Sequence, residues 1–356
     1  MRALAVAIVE FYQRQQRDLP WRRTRDPYAI WVSEIMLQQT RVATVIPYWE
    51  RWMARFPTVA ALAAADDDDI LAAWAGLGYY SRARNLARGA RAVVAGGGAM
   101  PRDAAGLRGL PGIGPYTAGA IASIAYGERA PLVDGNVARV LARVLGIDLD
   151  VKSTAGLKRI WVEAGALVAA LPASAAPGEL NQGLMELGAT VCTPTSPGCP
   201  RCPLADRCVA ARDGRQGELP VLPRRKGAAE LTSIDEAALW LVRRDRVLLA
   251  RRLASGLYGG LWELPQGPTV DDAAAAVGLT VTAAVELGRH RQVLSHRRLH
   301  LTLWRGDARG RARPDPARYD AIAWRSVTDL AEAGVSSATA TLIELARRLG
   351  KPAGPG

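Results

Sequence analysis

All four cysteines of this 356-residue chain, Cys192, Cys199, Cys202 and Cys208, fall in one stretch with the spacing C-x6-C-x2-C-x5-C. Pro194, Pro197, Pro200 and Pro203 punctuate it, which favours a folded-back loop over a helix. Three chemistries use such thiols. A disulfide framework suits small secreted domains, whereas a chain this long buries a core without staples. Structural zinc typically takes two paired ligand sets, and only Cys199 and Cys202 form a Cys-x-x-Cys pair. An iron–sulfur cluster takes four thiolates at uneven spacing. Spacing alone leaves these open.

The length implies two or more domains. A hydrophobic fraction of 49% with 22% charged residues describes a soluble globular protein, and no run of about 18 uncharged apolar residues reads as a membrane span. The opening MRALAVAIVEFYQRQQ reads as an amphipathic helix without a small-residue cleavage site, so a cytoplasmic, reducing compartment is expected. The net charge of +12 points to a polyanion such as nucleic acid, although the excess of arginine over lysine is also what a biased genome produces. Before Lys152 there is no lysine, and His290, His296 and His300 all lie in the last quarter. Chemistry in the first half therefore falls to carboxylates.

Residues 1–212 read as mostly helical, with apolar periodicity over 28–55, 69–94, 116–126, 135–145 and 157–171. The acidic run in ADDDDILAAW reads as a solvated helix start. A Gly-, Pro- and charge-rich linker is expected within 213–234. Residues 235–349 read as a smaller α+β domain: EAALWLVRRDRVLLARRL has a hairpin pattern about RRDR, and helices fit 270–278 and 336–349. Residues 350–356 form a tail.

Two motifs bear on function. LPGIGPYTAGAIASIA is a tight turn leading into a helix, in which Gly112 and Gly114 allow close backbone approach and the helix start offers amides to a phosphate. This is a helix–hairpin–helix or an ordinary turn between core helices. In PLVDGNVARVLARVLG, Asp134 precedes an amphipathic helix, as an N-cap or as a catalytic carboxylate.

The hairpin, the aspartate and the cysteine spacing together resemble the endonuclease III superfamily of DNA glycosylases. Within it, DLPWRRTRDPYAIWVSEIMLQQTRV, GLGYYSRARNL, VDGNVARV and NQGLMELGATVCT are similar to the MutY-type, adenine-removing branch over nearly the whole chain. The resemblance implies an all-α helix–hairpin–helix domain with an iron–sulfur loop, followed by an α+β Nudix (MutT-like) domain. It also implies a [4Fe–4S] cluster on the four cysteines. The expected partner is duplex DNA carrying adenine opposite 8-oxoguanine or guanine, bound by a monomer without membrane contact.

By the same resemblance, Glu34 is the general acid, and its apolar neighbours Ile30, Trp31, Val32, Ile35, Met36 and Leu37 imply a raised pKa. Asp134 stabilises or captures the sugar cation, Tyr116 positions Asp134 and the sugar, and Asn136 supports the same centre. Arg22 and Gln182 match positions near the adenine pocket. Gln39, in preference to Gln38, is the wedge for the vacated stack, and Tyr79 intercalates beside the opposite base. Arg201 and Arg207 are placed to meet phosphates. Lyase relatives carry a lysine at the position of Tyr116, and some relatives carry at that of Ala138 a lysine linked to weak sugar trapping, so a monofunctional enzyme is expected.

In the second domain, LYGGLWELPQG resembles the start of a Nudix fold, but PTVDDAAAAVGLTV stands where a glutamate-rich metal box would follow, so the domain binds and does not hydrolyse. The lesion-reading loop of the relatives carries Phe-Ser-His; this chain has Leu294, Ser295 and His296, which removes the aromatic ring. The competing readings are a glycosylase/lyase acting on oxidised pyrimidines and a lesion-binding protein without catalysis.

Overall fold

The computed structural model describes residues 1–223, 231–294, 297–331 and 333–349. In chain order the helices are α1 (Arg2–Gln15), α2 (Pro27–Leu37), α3 (Val42–Arg55), α4 (Val59–Ala64), α5 (Asp67–Trp74), α6 (Ser81–Ala95), α7 (Ala104–Leu107), α8 (Pro115–Ala125), α9 (Gly135–Leu145), α10 (Thr154–Ala169), α11 (Pro177–Thr190) and α12 (Val209–Arg212). Then come β1 (Thr232–Trp240), β2 (Val242–Arg243), β3 (Arg246–Arg252), β4 (Trp262–Glu263), β5 (Gln266–Gly267), α13 (Val270–Ala275), β6 (Thr280–Val293), β7 (Arg297–Arg309), β8 (Tyr319–Ser326) and α14 (Ser337–Leu349). The chain divides into two compact units. One is Met1–Ala64 with Asn85–Arg225, the other Ala65–Arg84 with Lys226–Gly356. Among the described residues no helix is long and apolar enough to cross a membrane.

The first unit is helical. Helix α1 buries Leu4, Ile8, Phe11 and Tyr12, the three- and four-residue steps of one helix face. Helix α2 differs: every residue from Tyr28 to Met36 is buried, so it is a central helix rather than a surface one. Its start is fixed by Pro27 at the first position and by Asp26, whose carboxylate accepts from the Tyr28 and Ala29 amides. Close contacts between helices rest on small residues. A Cβ on Gly188 of α11 would lie 2.6 Å from the Asn136 Cβ of α9.

Two apolar runs divide where the sequence shows one. Residues 28–55 form α2 and α3, separated by a turn in which Gln39 has φ 58°. No glycine or proline announces that turn, which is why periodicity reads through it. Residues 69–94 form α5 and α6 around Gly76, Gly78 and Tyr79, all with positive φ. Periodicity does not reveal helix α11, because it is buried on most of its faces, from Pro177 and Gly178 through Gly188. The expected linker also begins late. Arg143 Nε donates to the Leu219 carbonyl (2.7 Å) and the Val151 amide to the Val221 carbonyl (3.1 Å), so this stretch is docked on the first unit.

In the second unit, one sheet has the order β5-β1-β7-β6, with β1 and β7 parallel and β6 and β7 antiparallel. The other pairs β3 with β2, β4 and β8, all antiparallel. The run ALWL serves two cores. Ala238 and Trp240 join the cluster of Leu249, Leu303 and Leu342, whereas Leu239 and Leu241 join that of Leu248, Val277 and Tyr319. A strand alternates its side chains, so a run buried on both faces loses the polar/apolar alternation. The expected hairpin is β2–β3, turning at Arg244 and Asp245. Helices α13 and α14 lie within the expected 270–278 and 336–349.

The acidic run is not merely solvated. Asp68 accepts from Trp262 Nε1 (3.2 Å) and meets Arg251 Nη1 (3.5 Å). Glu263, buried, is held by Arg252 Nη1 (3.0 Å) and Tyr319 Oη (2.9 Å), so the charge of WELPQG is paired inside the sheet. In α13, which takes the place of a glutamate-rich box, the Asp272 carboxylate accepts from the N-cap hydroxyl of Thr269 (2.7 Å).

Candidate active site

Glu34 sits on the buried helix α2 with 5% of its surface exposed. Its Oε2 accepts from Tyr116 Oη of α8 at 2.5 Å, and Met185 Sδ of α11 lies 3.3 Å from the same hydroxyl. Burial pushes the Glu34 carboxyl up to about 7; the Tyr116 hydrogen bond and the Arg22 charge oppose the rise, and the Asp134 charge adds to it. Burial, Glu34 and Asp134 raise Tyr116 well above its ordinary value, so it stays a neutral donor. The resemblance assigns Tyr116 to Asp134. The structure gives its hydroxyl to Glu34, while the Asp134 oxygens accept from Val137 and Asn136.

Asp134 is the N-cap of α9. Its Oδ1 accepts from the Val137 amide (2.7 Å) and its Oδ2 from Asn136 Nδ2 (3.0 Å). The capping reading therefore holds geometrically, and the cap itself aims the carboxylate. Burial raises the Asp134 pKa, while these donors stabilise the anion and pull it back down. The two carboxyls thus have different surroundings: Glu34 has one phenol donor and lies in the field of Asp134, and Asp134 has a backbone and an amide donor.

Arg22 is not a surface arginine. Its side chain is 9% exposed, with Nη2 on Glu186 Oε2 (2.7 Å), Nη1 on the Arg17 carbonyl (3.0 Å) and its guanidinium carbon 5.3 Å from the centre of the Tyr12 ring. Glu186, fully buried, also takes Arg17 Nε (2.7 Å) and Nη2 (2.9 Å). Burial raises the Glu186 carboxyl, but these arginine bonds outweigh it and leave it below the ordinary value. Glu186 lies in the NQGLMELGATVCT segment, yet sequence reasoning passes over it; an acid within a buried helix is the available signal. Gln182, half-buried on α11, donates to its own helix at the Gly178 carbonyl (3.3 Å).

Asn136 connects onward. Its Oδ1 accepts from Arg139 Nη2 (2.8 Å), and Arg139 also donates to the Gly188 (2.8 Å) and Cys192 (2.8 Å) carbonyls. One turn later Arg143 reaches the carbonyls of Thr193 (2.7 Å), Pro194 (2.9 Å) and Leu219 (2.7 Å), and Cys192 Sγ (3.4 Å). The steps 136, 139 and 143 are one face of α9, so the sequence carries this signal. Arg143→Met removes the donor to the Leu219 carbonyl in a buried setting and to the partly buried Thr193 and Pro194 carbonyls. It is expected to destabilise the first unit by roughly 3 kcal/mol, read as a lower denaturant midpoint at unchanged slope.

Cys192, Cys199, Cys202 and Cys208 are free and line one largely apolar cavity with Val140 and Leu187. Among the described residues, no three His, Cys, Asp or Glu side chains are gathered as a single ion requires. Four thiols lining one apolar hollow are a donor set that a metal group can take. Arg201, on the same loop, is exposed and donates to the Thr190 carbonyl (3.4 Å), and Arg207 is exposed.

The hairpin joins α7 to α8. Gly112 has φ 79°, and a Cβ there would lie 2.6 Å from the Asn85 Cβ. Gly114, the N-cap of α8, is exposed, and a Cβ there would meet nothing within 4 Å, so a ligand can approach the helix start. Gln39 is exposed and Gln38 half-buried. In the second unit Tyr79 is 49% exposed and Tyr80 7%, and Tyr79 and Leu294 line the same pocket. Ser295 and His296 lie outside the described residues.

A glycine hairpin leading into α8, whose Tyr116 holds a buried carboxyl, and a capping aspartate at the start of α9 define a class. Residues 32–162 match the family described as HhH-GPD superfamily base excision DNA repair protein, and residues 237–345 match the NUDIX domain family. A thermostable thymine-DNA glycosylase has a similar solved structure (TM-score 0.53, 30% identity, 59% of this chain and 95% of that one). Adenine DNA glycosylase of Mycobacterium tuberculosis (strain CDC 1551 / Oshkosh) is 38% identical over 285 residues, covering 72% of this chain and 92% of the relative. That of Homo sapiens is 51% identical over 223 residues, covering 60% and 40%. The chain belongs to the adenine DNA glycosylase family. It spans 40% of the length of the human relative and 59% of the mouse relative.

Proposed function

We propose that this chain is a monofunctional adenine DNA glycosylase that removes adenine opposite 8-oxoguanine, or guanine, from duplex DNA. The observation that carries the reading is the buried Glu34, held by Tyr116 and poised near pH 7, in the field of the capped Asp134. Adenine must leave the stack to reach these groups. Glu34 then gives its proton to the purine ring, because a neutral base leaves more readily than an anion. Asp134, whose carboxylate accepts from Val137 and Asn136, stabilises or captures the sugar cation as its anion, as paired carboxyls do in glycoside hydrolysis. Water completes the reaction.

Arg22 and Glu186 shape the wall near Glu34. Gln39 fills the vacated stack, Tyr79 enters beside the opposite base, and Leu294, Ser295 and His296 read the lesion. The exposed start of α8 at Gly114, with Arg201 and Arg207, takes phosphates. Cys192, Cys199, Cys202 and Cys208 would hold a [4Fe–4S] cluster, which when bound cross-links the loop without entering the chemistry. The protein acts as a monomer in a cytoplasmic, reducing compartment.

The test is a duplex with one adenine opposite 8-oxoguanine, assayed for free adenine and for strand breaks with and without alkali. Free adenine with breaks only after alkali is expected. Breaks without alkali would reveal a lyase nucleophile, and no adenine release would overturn the reading.

A further inference from the structure

The turn between α5 and α6 is held in an uncommon shape. Gly76, Gly78 and Tyr79 have φ of 97°, 71° and 47°. The glycines accept this conformation freely, but a tyrosine there is strained by about 1–2 kcal/mol and persists only when its surroundings hold it. Arg82, the second residue of α6 and 8% exposed, is a large part of those surroundings. Its Nη2 donates to the carbonyls of Leu77 (3.1 Å) and Gly78 (3.2 Å), and its own amide donates to the Tyr79 carbonyl (2.9 Å). Its guanidinium carbon lies 5.2 Å from the centre of the Trp74 ring and 5.6 Å from that of Tyr79. Trp74 Nε1 shares the Gly78 carbonyl (3.0 Å) and Tyr80 Oη accepts from the Gly76 amide (3.3 Å), so the turn is tied at each residue.

We propose that Arg82 is a positioning residue that holds the exposed Tyr79 ring ready for insertion into a base stack, and so sets how tightly the lesion-bearing duplex is bound. This rests on the reading of Tyr79 given above. A ring fixed before binding costs no ordering on binding, which is where preorganisation raises affinity. A planar fork reaches two adjacent carbonyls while its face lies against the rings; an ammonium cannot do both. Burial lowers the Arg82 pKa to about 10, which leaves it charged at neutral pH.

The experiment is a double-mutant cycle in the full chain. Wild type, Arg82→Ala, Arg82→Lys, Tyr79→Ala and the Arg82→Ala/Tyr79→Ala double variant are titrated with an uncleavable duplex, 2′-fluoro-2′-deoxyadenosine opposite 8-oxoguanine. Arg82→Ala is expected to weaken binding about tenfold, the size of a partly buried cation–ring contact. Arg82→Lys is expected to recover part of that loss, and the double variant to bind no more weakly than Tyr79→Ala alone. The loss is expected in affinity rather than in the rate at saturating enzyme. An equal tenfold loss in the Tyr79→Ala background would show that Arg82 merely supports the fold and overturn the inference. If Arg82→Ala does not fold, Arg82→Lys takes its place in the cycle with the same two outcomes. Failure of wild type itself to release adenine would instead overturn the function on which the inference rests.

Discussion

Glu34→Gln lowers the single-turnover rate of adenine release by roughly 10²–10⁴-fold, the contribution of a positioned general acid. The amide keeps the shape of the carboxyl and can still accept from Tyr116, so packing and DNA binding persist while the transferable proton is gone. The same substitution stabilises the fold. A carboxyl raised from 4.5 to about 7 by burial binds its proton more tightly folded than unfolded. Between those values the unfolded chain has released the proton and the native protein has not, so stability falls as pH rises through this window. A neutral amide at this position would remove that loss, which at about 1.4 kcal/mol per unit is on the order of 3 kcal/mol. Thermal unfolding is therefore expected to show Glu34→Gln above wild type at pH 8, with the difference shrinking toward pH 5. Equal release rates for the two proteins would remove Glu34 from the chemistry.

Asp134→Asn separates the two roles of that residue. Asparagine caps a helix as well as aspartate does, so α9 keeps its start at the Val137 amide. The negative charge beside the developing sugar cation is lost, and release is expected to slow by roughly 10²–10³-fold, as for the removal of one preorganised electrostatic group. Asp134→Ala loses charge and cap together, and its stability falls by about 1 kcal/mol relative to Asp134→Asn. Rapid-quench release at saturating enzyme, paired with urea titration, reads both. Asp134→Asn with wild-type release would leave the residue a cap alone.

The sequence and the structure agree most where the signal is local. The cysteine loop between α11 and α12, the glycine hairpin between α7 and α8 and the aspartate before α9 each lie within one short stretch of chain. Arg139 and Arg143 are equally legible, since steps of three and four from Asn136 place them on one face, yet an arginine on a basic chain does not announce that it will hold carbonyls. What joins distant segments is not legible. Tyr116 meets Glu34 across 82 positions, and Glu186 meets Arg17 and Arg22 across 169 and 164. The packing of helices distant in sequence makes those encounters, α2 against α8 and α1 against α11. The turns at Gln39 and Tyr79 are hidden for a related reason: non-glycine residues adopt the left-handed conformation there because tertiary contacts impose it.

The pH profile of single-turnover adenine release from a duplex carrying adenine opposite 8-oxoguanine tests the central claim most directly. An acid with a pKa of about 7 predicts a rate that declines above neutrality, approaching tenfold per pH unit, with that limb missing in Glu34→Gln. A rate that instead rises through pH 7 would make Glu34 a base or a bystander, and would contradict the mechanism.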